Sequence, residues 1–113
     1  AYVEGLLSGL ADALDALVAE DVPVERVFLV GGGARSDAVA AIAPAVFGTP
    51  VLRPTPGEYV ADGAAKQAAW VLTGADGPPE WPAADTELFT AEPTPAVRER
   101  YAAVRDLTAR RLR

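Results

Sequence analysis

The stretch of this chain best suited to touch a ligand is VFLVGGGARSD, residues 27–37. Four apolar residues run into Gly31, Gly32 and Gly33, and Ser36 and Asp37 then open an alanine-rich segment. Backbone without side chains between a strand and a helix lets another molecule come close, and the first N–H groups of the helix point outward to meet it. A phosphate, a nucleoside or another piece of protein would each fit. A phosphate-gripping loop, GxxxxGK[ST], needs a lysine that this turn lacks. A dinucleotide fingerprint, GxGxxG, would use positions 31, 33 and 36, but the third is Ser36, and Arg53 stands where an acid is expected after the next strand. A tight turn whose glycines serve only positive φ stays open as the plain alternative.

Few other residues could do chemistry. The chain has no histidine and no cysteine, which removes the usual general base, the usual zinc ligand, disulfides and thiolate metal sites. Acid–base work would fall to Asp or Glu. Glu58 and Asp62 are the conspicuous acids, and both are expected to start a helix by satisfying its N–H groups rather than to catalyse. A net charge of −6 argues against a nucleic-acid partner, whose affinity comes mainly from Lys and Arg neutralising phosphates. Lys66 is the single lysine. Arg98, Arg100, Arg105, Arg110, Arg111 and Arg113 read as a solvated helix face that suits the negative helix end. With 50% hydrophobic and 23% charged residues the composition is globular, and no apolar run approaches the ~20 residues of a membrane span. No membrane partner is expected. The chain opens inside an amphipathic pattern rather than on a basic leader, so the cytoplasm is the expected location.

The elements that must hold the glycine turn follow from periodicity. Val3, Leu6, Leu7, Leu10, Leu14, Leu17 and Val18 have helical spacing with one buried stripe, ended near Asp21-Val22-Pro23. Residues 26–30 read as a buried strand. Ser36 is a good N-cap for a second helix whose apolar face is Val39, Ile42, Val46 and Phe47, stopped by Gly48 and expected to kink or shorten at Pro44. Residues 50–52 read as a second strand, so that strand–helix–strand order makes a parallel crossover. A third helix over 59–73 presents the small residues Gly63, Ala64, Ala65, Ala68 and Ala69. Residues 75–95 read as an ordered proline-rich strap anchored by Trp81, Leu88 and Phe89, and residues 96–112 as a last helix. The fold class is α/β, with helices packed on a short parallel sheet.

Three segments in this order, VEGLLSGLADAL, VFLVGGGARSD and VFGTPVLRPTPGEYVADGAAKQAAWVLTG, resemble the C-terminal part of carbohydrate kinases of the FGGY family, and its xylulokinase branch most closely. The resemblance covers residues 2 to 74 well and the remainder loosely. It implies part of an actin-like, ribonuclease-H-like domain in which ATP lies between two such domains. Gly32, Gly33 and Ala34 would carry bare backbone against the adenosine, with Ser36 and Asp37 completing the set and Asp37 reaching the adenine edge. Relatives often carry an amide at that last position. The implied reaction is phosphoryl transfer from ATP with Mg2+ to a pentulose, D-xylulose giving D-xylulose 5-phosphate.

The magnesium site, the catalytic aspartate and the sugar pocket would lie in segments preceding Ala1. Residues 1–113 are then the C-terminal portion of that domain: 1–74 the core with the adenosine turn, 75–95 the strap, 96–113 the last helix. Alone, this portion is expected to be inactive and to associate with itself, because two short strands make a poor sheet. Gly33 is expected to have positive φ, which a β-branched substitute would resist. The alternative is a stand-alone α/β interaction domain whose glycine turn is purely structural.

Overall fold

A computed structural model describes residues 1–109 of the chain. The elements run α1 (Tyr2–Ala19), β1 (Val27–Phe28), a 3₁₀ turn (Gly32–Arg35), α2 (Asp37–Phe47), β2 (Val51–Pro54), α3 (Tyr59–Thr73), β3 (Thr86–Phe89) and α4 (Pro95–Ala109). The strands form one sheet in the order β1-β2-β3. β1 and β2 are parallel, with Val27 opposite Val51, so the crossover through α2 is as the sequence order predicts. β3 is antiparallel to β2, with Val51 opposite Phe89 and Arg53 opposite Glu87. The sheet is therefore mixed, and its third strand comes out of the segment expected to be a strap. Of the three anchors expected there, Trp81 and Leu88 are 43% and 61% exposed, and only Phe89 is half-buried.

The core is a small cluster of Leu7, Ala11, Val39, Ala43, Val46 and Val51. It lies where α1 and α2 pack together over β2. α1 ends in two backbone bonds that together require one residue in the left-handed region. The Asp21 N–H donates to Val18 and the Val22 N–H to Leu17, both at 3.1 Å, and Asp21 takes φ 57°. That arrangement satisfies carbonyls the helix would otherwise leave open, and Pro23 follows it. Only Leu7, Ser8 and Ala11 of α1 are buried. Leu6, Leu10 and Leu17, read from sequence as part of one buried stripe, remain about half exposed.

α2 begins as expected, with the Ser36 hydroxyl accepting from the Val39 N–H at 3.4 Å. Pro44 neither shortens nor ends it. The proline stands in the last turn, where only the Ala40 carbonyl loses a helical donor, and its ring is buried. Gly48 and Gly74, both left-handed, close α2 and α3. α3 buries none of its residues: Val60, Val71 and Leu72 are 86%, 79% and 88% exposed. The radius of gyration is 17.2 Å, against about 13 Å for a compact domain of this length.

α4 is held onto α1 by charge. Arg98 Nη2 donates to Asp12 Oδ1 at 3.0 Å and to Asp15 Oδ2 at 2.6 Å, and Arg105 Nη1 to Asp12 Oδ2 at 3.0 Å. These two arginines are thus not a solvated face: α1 presents Asp12 and Asp15 to them, and Arg98 is only 23% exposed. Arg110, Arg111 and Arg113 lie outside the described residues. Loss of a partly buried arginine shared by two carboxylates costs about 1 kcal/mol. Arg98→Ala is expected to melt about 5 °C lower than the parent at equal protein concentration, and the gap should shrink in 1 M salt.

Candidate functional site

The glycine turn divides its work among three glycines. Gly31 has φ 87° and ψ −171°, a conformation that favours glycine. Past it the chain winds into the 3₁₀ turn, with the Ala34 N–H donating to Gly31 at 3.2 Å and the Ser36 N–H to Gly33 at 3.1 Å. Positive φ falls on Gly31 and not on Gly33, where it was expected. A Cβ added at Gly31, Gly32 or Gly33 would meet no atom within 4 Å. At Gly32 and Gly33, then, neither backbone conformation nor packing among the described residues requires glycine. What the missing side chains leave is open backbone.

The turn borders two cavities. The smaller, about 170 Å³, is lined by Leu29, Gly31, Gly32, Ala34, Pro56, Glu58 and Tyr59. Tyr59 is fixed there because its hydroxyl donates to the Thr55 carbonyl, on the loop leading into α3. The larger cleft, about 880 Å³, lies beside it and shares Ala34, Arg35, Pro54 and Pro56. Asp37, Arg53, Thr55, Asp85, Thr86 and Glu87 complete its lining. Of the residues nominated from sequence, Gly32 and Ala34 line the small cavity, and Ala34 and Asp37 the large one. Gly33 lines neither, although its side is open, and Ser36 is occupied in capping α2.

The residue that sequence reasoning missed is Arg53. Its Nη1 donates to Asp37 Oδ1 and its Nη2 to Glu87 Oε2, each at 2.8 Å, and Nη1 also lies 3.5 Å from the Ala34 carbonyl. The guanidinium stacks over the Phe89 ring at 4.8 Å. The hydrogen bond Arg53 donates to Asp37, then the one it donates to Glu87, raise its pKa above the ordinary value. One signal was readable. In a parallel crossover the end of the second strand lies beside the start of the connecting helix, which brings residue 53 near residue 37. Glu87 carried no such signal.

The other acids stand apart. Glu58 caps α3 through its carbonyl, which accepts from the Asp62 N–H at 2.9 Å, and its carboxylate makes no capping bond, unlike the expectation. Among the described residues no group of three or more His, Cys, Asp or Glu is placed to hold a metal ion. No helix among them is long and apolar enough to cross a membrane.

Residues 1–72 match the C-terminal domain of the FGGY family of carbohydrate kinases. Over 77 residues the chain is 42% identical to the xylulose kinases of Streptomyces coelicolor and Streptomyces rubiginosus, a span that is 67% of this chain and 16% of each relative. The crystal structure of xylulose kinase from Bifidobacterium adolescentis superposes with a TM-score of 0.77 at 47% identity, over 93% of this chain and 21% of that one. The chain thus spans a small part of the length of the relatives it matches.

Proposed function

The chain belongs to the FGGY family of carbohydrate kinases, and from that premise we propose that it is the adenosine-holding part of an ATP-dependent kinase acting on a pentulose, D-xylulose by preference. The observation that carries the proposal is the backbone at Gly32, free of a side chain for no reason internal to the described residues and set against a cavity walled by Tyr59, with the side of Gly33 next to it equally open. A nucleoside lies flat against such backbone, with Ala34 beside it. Asp37, with Oδ1 engaged by Arg53, offers its other oxygen to the exocyclic amino group of adenine. The carboxylate is an acceptor only, so it suits that amino group. The Streptomyces relatives, named xylulose kinases, support the choice of sugar.

Among the described residues no cluster of carboxylates is placed to hold magnesium. Phosphoryl transfer and sugar binding belong to other parts of the full-length kinase. This segment contributes position: it holds one end of the phosphoryl donor so that the other end meets the hydroxyl in line.

The test is Gly32→Val and Gly33→Val in the full-length kinase. Neither position has positive φ, and neither added Cβ meets an atom of the described chain. Both substitutions therefore spare the fold while filling the space the nucleoside needs. The expected result is an ATP KM raised about tenfold, with the sugar KM unchanged. Unchanged ATP kinetics in both variants would take the turn out of the nucleotide site and favour the purely structural reading.

A further inference from the structure

We infer that Arg53 is a positioning residue for the nucleoside turn, and that β3, beyond the residues the family model matches, completes the site through it. The inference rests on the nucleotide reading above and adds to it a specific device. Arg53 joins three segments that are far apart in sequence. One amino group of its fork bonds Asp37 in the first turn of α2 and lies near the Ala34 carbonyl, and the other bonds Glu87 on β3. Its plane rests on Phe89, the strand's half-buried residue. The side chain is 17% exposed although it ends an outer cleft.

A planar fork suits this task. It holds two carboxylates at a fixed separation while its face stacks on an aromatic ring, and an ammonium does neither. Asp37 itself is 91% exposed, and among the described residues Arg53 supplies the side-chain bond shown for it. Without Arg53 its carboxylate would have to be ordered when the nucleotide binds, at the expense of affinity. Glu87 and Phe89 hold Arg53 from the opposite side. The match to the family model ends at residue 72, so these two partners come from chain beyond that model, and the segment over 86–89 becomes part of the nucleotide site without touching nucleotide.

The experiment is steady-state kinetics of the full-length kinase carrying Arg53→Gln, Arg53→Lys, Glu87→Gln and the Arg53→Gln/Glu87→Gln pair, with Gly32→Val as reference. Arg53→Gln is expected to raise the ATP KM about tenfold while the sugar KM and melting temperature stay near parental values. Arg53→Lys should recover little of this. Glu87→Gln, on an exposed side chain that leaves the fold intact, should raise the ATP KM about threefold, and the pair should be no worse than Arg53→Gln alone. If Gly32→Val raises the ATP KM and Arg53→Gln does not, the inference fails and the nucleotide reading stands. If neither variant moves it, both fail. Additive effects in the pair would show that Glu87 does not act through Arg53. A parallel rise in both KM values with a lowered melting temperature would reduce Arg53 to scaffold, and full recovery by lysine would refute the fork argument.

Discussion

Supplied with ATP, magnesium and D-xylulose, the 113-residue chain alone is expected to release ADP no faster than a protein-free control. Kinases stabilise a transferring phosphoryl group whose charge is spread over three oxygens, and they do so with metal ions, cationic donors and a base aimed at the nucleophile. The described residues contain none of these in one place. No metal-holding group is present among them. The one lysine, Lys66, borders a separate cleft with Trp81 and Asp62. Glu58 and Asp62 are exposed, and no side-chain hydrogen bond shown for either orients it as a base. Holding the nucleoside binds ground state and transition state equally, which leaves the chemical barrier where it was. Against accelerations that reach about 10⁶-fold or more in enzymes, the isolated chain should supply nothing measurable. A coupled ADP-release assay decides it. Sugar-dependent turnover well above background would place a catalytic acid inside this chain, and its loss in Asp62→Asn would identify which.

How far such a site could be read without coordinates depended on whether its residues signal locally. α1 and α2 each carry apolar periodicity and a stop, α3 a run of small residues closed by Gly74, and the parallel pair follows from strand–helix–strand order. The glycine turn was legible as open backbone. Which of three consecutive glycines takes positive φ was not, because they are chemically identical and only the conformation around Gly31 distinguishes it. β3 failed for a different reason. Thr86-Glu87-Leu88-Phe89 is too short to show a period, sits among prolines, and becomes a strand only because β2 offers an edge to pair with. Arg53 went unread as a direct result: two of its four contacts lie on that strand. α1 shows a third limit. Leu6, Leu7, Leu10 and Leu14 merge into one stripe on a helical projection, but Leu6 points about 100° and Leu10 about 60° to one side of Leu7, and only the Leu7 side meets α2.

That second side of α1 leads to the other large effect: in solution the chain is expected to self-associate, with a melting temperature that rises with protein concentration. Tyr2, Leu6, Leu10, Ala13 and Leu17 fall along one line of the helix, at spacings of three or four residues. Tyr2 is 86% exposed, and Leu6, Leu10 and Leu17 about half. Covering the open halves of three leucines would contribute about 3 kcal/mol. α3 adds Val60, Val71 and Leu72 with none of its residues buried, and β1 is an edge of a three-stranded sheet. A net charge of −6 opposes contact between copies, so association should tighten as salt screens the repulsion. Sedimentation at micromolar concentration, beside melts at two protein concentrations, reads the outcome. Leu6→Glu/Leu10→Glu puts two charges into the stripe without touching the buried Leu7 face, and should return a monomer. If the parent is itself monomeric with a cooperative, concentration-independent melt, these surfaces need no cover. The chain would then stand as a complete domain, with the stand-alone interaction module as its better description.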